Sequence, residues 1–102
     1  MAVVQEEVAT SIRLETPADS AFTKLEVTTV DRPGLLVEIV RTLKDCNINV
    51  VSAEVDTIGN LAKDEFMLAY HGGPLPKPMR TLVRNALGYY LALAEIETAE
   101  SY

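Results

Sequence analysis

Apolar and polar positions alternate twice near the start of the chain. Over residues 8–16, Val8, Thr10, Ile12 and Leu14 fall on one side and Ser11, Arg13 and Glu15 on the other. A period of two is the mark of a half-buried strand. Pro17-Ala18-Asp19-Ser20 is a turn cluster. The alternation resumes over residues 22–30, where Leu25, Val27 and Thr29 oppose Lys24, Glu26 and Thr28. Two such runs around a short turn predict a hairpin.

The period then lengthens. Leu35, Leu36, Ile39, Val40 and Leu43 form one apolar stripe, with Glu38, Arg41, Thr42, Lys44 and Asp45 on the wet side, the pattern of an amphipathic helix. Asp31 or the Arg32 position caps it, and Pro33 suits its first turn. Asn47 tolerates the left-handed conformation that ends a helix. Residues 48–57 return to a strand, with Val51, Ala53 and Val55 on one face and Ser52, Glu54 and Asp56 on the other. Ile58-Gly59-Asn60 turns the chain into a strand over 61–70, which points Phe66, Leu68 and Tyr70 inward and Lys63 and Glu65 outward. His71 to Pro78 reads as a loop. Met79, Leu82, Val83, Ala86, Leu87 and Tyr90 then recur at helical spacing. That helix ends at Gly88 or continues through Tyr89-Tyr90-Leu91, and residues 92–98 read as a short last strand.

From residue 22 the order is βαββαβ, the ferredoxin-like arrangement of the α+β class. Two helices cover one face of an antiparallel sheet. Residues 1–21 form an N-terminal strand extension, and residues 22–102 form the main unit.

Composition narrows the function. A chain of 102 residues fits one domain. Its net charge of −6, with Arg32, Arg41, Lys44, Arg80 and Arg84 scattered among acids, leaves no basic stripe for nucleic acid. No apolar run is long enough to span a bilayer. A single cysteine, Cys46, rules out a disulfide within the chain and reads as a small buried hydrophobe.

The candidate chemistry sits in the run Asp31-Arg32-Pro33-Gly34-Leu35-Leu36. A helix start offers unpaired N–H groups and partial positive charge. A glycine beside it lets a ligand approach the backbone. Together they suit a small carboxylate. Plainer roles exist for each residue: Asp31 as a cap, Arg32 as a solvated charge, Gly34 as a tight-turn residue. Glu54 and Asp56 share a strand face, about 7 Å apart, but no nucleophile accompanies them. His71 has no second metal ligand near it in sequence, and the following Gly-Gly lacks a phosphate-loop lysine. The sequence therefore predicts a binding domain with no catalytic residues, metal or cofactor.

The segment VTTVDRPGLLVEIVRTLKDCNINVVSAEVDTIG resembles the ACT domain. Within that family it is similar to the ACT-repeat proteins of plants and algae and to the ACT pairs that end bacterial uridylyltransferases. The resemblance implies a regulatory domain that binds an amino acid or related metabolite at the seam of a side-by-side homodimer. It implies a ligand lying against Gly34, with Asn49 contacting it and Asp31, Arg32, Leu35 and Leu36 lining the same pocket. Asp31 is placed to meet an amino group. It further implies a partner enzyme of nitrogen assimilation or amino-acid synthesis, and residence in the chloroplast stroma. The alternative is a module that regulates by protein contact alone, using the acidic surface and the Gly72–Pro78 loop.

Overall fold

The computed structural model describes residues 10–100, the last six by backbone alone. Val8, counted with the first strand, lies outside them. Four strands form one antiparallel sheet in the order β1-β2-β4-β3. They are β1 (Ser11–Glu15), β2 (Thr23–Val30), β3 (Asn49–Ile58) and β4 (Leu61–Ala69), with helices α1 (Leu35–Asp45) and α2 (Lys77–Glu100). The α+β class, the two helices on one sheet face and the extra N-terminal strand agree with expectation.

The central pair sets the core. Thr23, Leu25, Val27 and Thr29 of β2 are all buried. They stand opposite Leu68, Phe66, Asp64 and Ala62 of β4. Leu35, Ile39 and Leu43 of α1 and Val83, Leu87 and Leu91 of α2 complete the cluster. The other sheet face is polar. There the Lys24 ammonium lies 3.0 Å from Glu26 and 3.3 Å from Glu65, and Arg13 reaches Glu26 at 3.7 Å. Hydrogen bonding to these two carboxylates raises the pKa of Lys24.

The main departure is at the C-terminal end. Residues 92–98 are not a strand; they continue α2. Gly88 is consequently a mid-helix residue and not a cap. Leu91 extends the Val83-Leu87 row by one more turn, and the Leu, Ala and Glu that follow are strong helix formers with no Gly or Pro among them. In a βαββαβ sheet the last strand lies beside the first. Here β1 fills that slot from the other end of the chain, pairing antiparallel with β2 from Ser11↔Thr28 to Glu15↔Lys24. Hydroxyl contacts bracket it, Thr10 to Thr29 at 2.9 Å and Thr16 to Thr23 at 2.8 Å.

The α1 stripe is narrower than the sequence implied. Leu36 is exposed and Val40 half-buried, while Thr42 from the wet side is buried. Its hydroxyl donates to the Glu38 carbonyl at 2.8 Å, which satisfies it there. Asn47 takes φ 60 after the helix, as its type allows. The Gly72–Pro78 segment is also tied down. Leu75 is buried, its N–H donates to Thr23 Oγ1 at 2.9 Å, and its carbonyl accepts from Arg80 at 2.7 Å.

Candidate functional site

The start of α1 is built by a turn. Leu35 N–H donates to the Arg32 carbonyl at 3.2 Å. Gly34 sits at φ 82, ψ 0. Proline at the second position and a left-handed glycine at the third are the signature of a type II turn. Pro33 thus belongs to the turn and not to the first helical turn. Asp31 does not cap the helix either: the N-cap is Gly34, and no side chain bonds there. The Asp31 N–H is used elsewhere, donating to the Asn60 carbonyl at 2.8 Å. Gly34 O accepts the first helical bond, from Glu38 at 3.0 Å. The N–H groups of Leu36 and Val37 have no acceptor among the described residues. They are the open donors that a helix start offers an anion.

The side chains around this turn divide. Asp31 and Gly34 are exposed, and Leu36 is 40% exposed on the outer side of α1. Leu35 points the other way, into the core, so its side chain cannot face a ligand in this turn. Arg32 is not a solvated charge. Its guanidinium donates to Glu38 at 2.8 Å, with the side chain only 17% exposed.

Asn49 is not brought to this turn within one chain. It pairs with Ala69, whereas Ile58 at the far end of β3 pairs with Leu61, and Leu61 with Val30, the last residue before Asp31. Asn49 and Asp31 therefore lie at opposite ends of the sheet, about 30 Å apart by strand rise.

One residue here was missed from sequence. Asp64 shares the inward row with Phe66 and Leu68 and is only 3% exposed. Its Oδ1 is buried with no hydrogen-bond partner among the described residues. Burial, and then the negative charge of Asp31, push its carboxyl above the ordinary aspartate value. The signal was present in the sequence, because the alternation that turns Phe66 and Leu68 inward also turns Asp64 inward.

The remaining candidates do not assemble a site. Cys46 closes α1, and burial followed by the Asp45 charge raises its thiol pKa, away from reactivity. His71 is exposed, with its ring edge-on to Tyr70 at 4.2 Å. Glu54 and Asp56 are exposed on β3, across from Glu65 and Lys63. No cluster of metal-ligating residues occurs among the described residues.

Known proteins are similar to this chain in sequence. The ACT domain family matches residues 23–78, from β2 to the first residues of α2. A rice (Oryza sativa) protein, the chloroplastic ACT domain-containing protein DS12, is 49% identical over 67 residues, covering 66% of this chain and 24% of its own. The bifunctional uridylyltransferase/uridylyl-removing enzyme of Phenylobacterium zucineum is 32% identical over 93 residues, covering 89% of this chain and 10% of the enzyme. The corresponding enzyme of Bradyrhizobium diazoefficiens is 36% identical over 73 residues, covering 70% of this chain and 8% of its own. The chain thus spans about a quarter of the rice protein and a tenth or less of the bacterial enzymes. With the matched segment running through the type II turn, α1 and the β3–β4 hairpin, the chain belongs to the ACT domain family.

Proposed function

We propose that this ACT domain is a sensor module that binds an amino acid or related small metabolite and modulates a partner enzyme of nitrogen or amino-acid metabolism. The observation that carries the reading is the uncapped start of α1. Its open N–H groups at Leu36 and Val37 suit a ligand carboxylate, and Asp31 beside them suits an amino group. The bacterial relatives are uridylyltransferase/uridylyl-removing enzymes and the rice relative is chloroplastic, which supports a link to metabolic regulation and residence in a plastid.

The far placement of Asn49 fits a homodimer. A two-fold axis through β3 sets the two β3 strands antiparallel. One protomer's Asn49 then lies beside the other's Ile58 end, near its Asp31–Leu36 turn. The ligand sits at that seam, and its binding favours one dimer geometry, which a partner reads as a population shift.

A thermal-shift panel of the twenty L-amino acids at millimolar concentration tests this. A ligand present at 100 times its Kd adds roughly 2.7 kcal/mol, a rise of the order of 10 °C for a domain of this size. One clear responder is the expected result. A flat panel, with the dimer intact, favours the alternative of regulation by protein contact alone. That second reading has its own observation: Val51, Val55 and Ile58 on β3 and Leu36 and Val37 on the adjoining helix are all exposed apolar side chains.

A further inference from the structure

An unpaired carboxylate in an apolar row is costly, and native proteins rarely keep one without a use. Asp64 is such a group. It stands between Val27 of β2 and Val55 of β3, with Ala62 and Phe66 on either side in its own row. The cations nearest in sequence are directed elsewhere. Arg32 is bonded to Glu38, and Lys63 belongs to the opposite face of β4. Neither Asp31 nor Asp64 takes part in an ion pair among the described residues. Asp64 is therefore a buried acid with no counter-charge among the described residues, and the negative charge of Asp31 adds to its burial in raising its pKa.

The row is closed on one side and open on the other. Val27 is 1% exposed, whereas Val55, one strand further out, is 52% exposed. Adjacent strands lie about 4.8 Å apart, so Asp64 stands one strand spacing in from the exposed Val55 and from the seam proposed above. An ammonium group answers this chemistry. It carries the missing charge, donates three hydrogen bonds, and is small enough to pass an aliphatic rim.

We propose that Asp64 is the buried acceptor for the ammonium group of the bound ligand, acting with Asp31. This deepens the sensor reading and rests on it. It restricts the ligand class to molecules with a free, charged amine, because an acylated amine leaves both carboxylates unpaired. The two ends of an amino acid are then read separately, the carboxylate by the N–H groups opening α1 and the ammonium by Asp31 and Asp64. Discrimination against the uncharged analogue follows from the cost of leaving the buried Asp64 unpaired.

The test compares each of the twenty L-amino acids with its N-acetyl derivative on the wild-type chain. It then repeats the responders on Asp64→Asn. The expected result is a wild-type response to a free amino acid, at least tenfold weaker affinity for its N-acetyl form, and at least tenfold weaker affinity in Asp64→Asn. The free variant should melt at or above the wild-type temperature. If Asp64→Asn does not fold, Asp64→Ser takes its place, and the N-acetyl comparison needs no variant. A wild-type response that Asp64→Asn retains within tenfold, or that the N-acetyl form matches within tenfold, overturns the Asp64 assignment and leaves the sensor reading standing. No wild-type response to any amino acid overturns both.

Discussion

The two edges of the sheet are managed in opposite ways. At one edge β1 is five residues long, carries Arg13 and Glu15 outward, and packs Ile12 and Leu14 against the core. Shortness, charge and a helix alongside are the usual means of blunting an edge. At the other edge β3 is ten residues long, is half-buried only at Val50, and exposes Val51, Val55 and Ile58. It is fully paired to β4 on its inner side, apart from a register shift between Val50 and Ser52. A long apolar edge left in this state invites another strand. The lesson is one of division of labour. The β1 edge closes the fold with the chain's own N-terminal strand, and the β3 edge carries the features of an interface.

The largest effect should come from the residue between the two edges. Phe66 lies in β4 across from Leu25 of β2 and from Ala53 of β3, and it is fully buried. Phe66→Ala should cost about 3–5 kcal/mol, read as a lower urea midpoint in a single transition. If the β1 side and the β3 side unfold in separate transitions, the sheet is two units and its edges do not belong to one cooperative fold.

A smaller effect separates the edges directly. Val51 is 47% exposed at the β3 register shift, so Val51→Lys should change the stability of one chain by less than about 0.5 kcal/mol. A strand edge bearing lysine pairs poorly. For the homodimer proposed above, sedimentation equilibrium should show the dissociation constant rising at least tenfold, about 1.4 kcal/mol. Arg13→Ala on the β1 edge should leave it within twofold. Equal effects of the two substitutions would remove the functional distinction between the edges.

Much of this architecture was legible, for reasons that can be named. Clean alternation gave β1, β2 and β4, because each has one buried face. The Arg32-Pro33-Gly34-Leu35 run spells a type II turn, but Asp31 is so good a cap by type that the same run also spells a capped helix start. Two things were hidden by their non-local causes. Whether residues 92–98 form a strand depends on whether the edge slot beside β2 is vacant, and β1 occupies it. Asn49 was grouped with Gly34 through the resemblance, whereas in one chain it sits at the other end of the sheet; only a second copy can unite them. Asp64 is legible from parity alone, since it shares the row of Phe66 and Leu68, but a lone Asp carries no apolar signal that marks it as buried.

The smallest effect concerns the inner rim of the β3 edge, and its sign is set by pH. The Asp64 carboxyl titrates above the ordinary value of 3.8, raised first by burial and then by the negative charge of Asp31. A raised pKa means that the folded chain holds the proton more tightly than the unfolded chain does. Below pH 3.8 both states are protonated and this group carries no penalty. As pH rises through the interval from there to the raised value, the unfolded chain releases this proton while the folded chain retains it, and stability falls. Asp64→Asn removes that cost. Its melting temperature should match that of the wild type at the acid end of this window and exceed it at neutral pH, by a margin equivalent to roughly 1 kcal/mol. The β1 edge offers a control, because Arg13 and Glu15 are exposed and Arg13→Ala should shift stability little at either pH. A constant difference between Asp64→Asn and wild type across pH would mean that Asp64 has the same pKa in the folded and unfolded chain, and the rim of the β3 edge would then hold no buried acid in want of a partner.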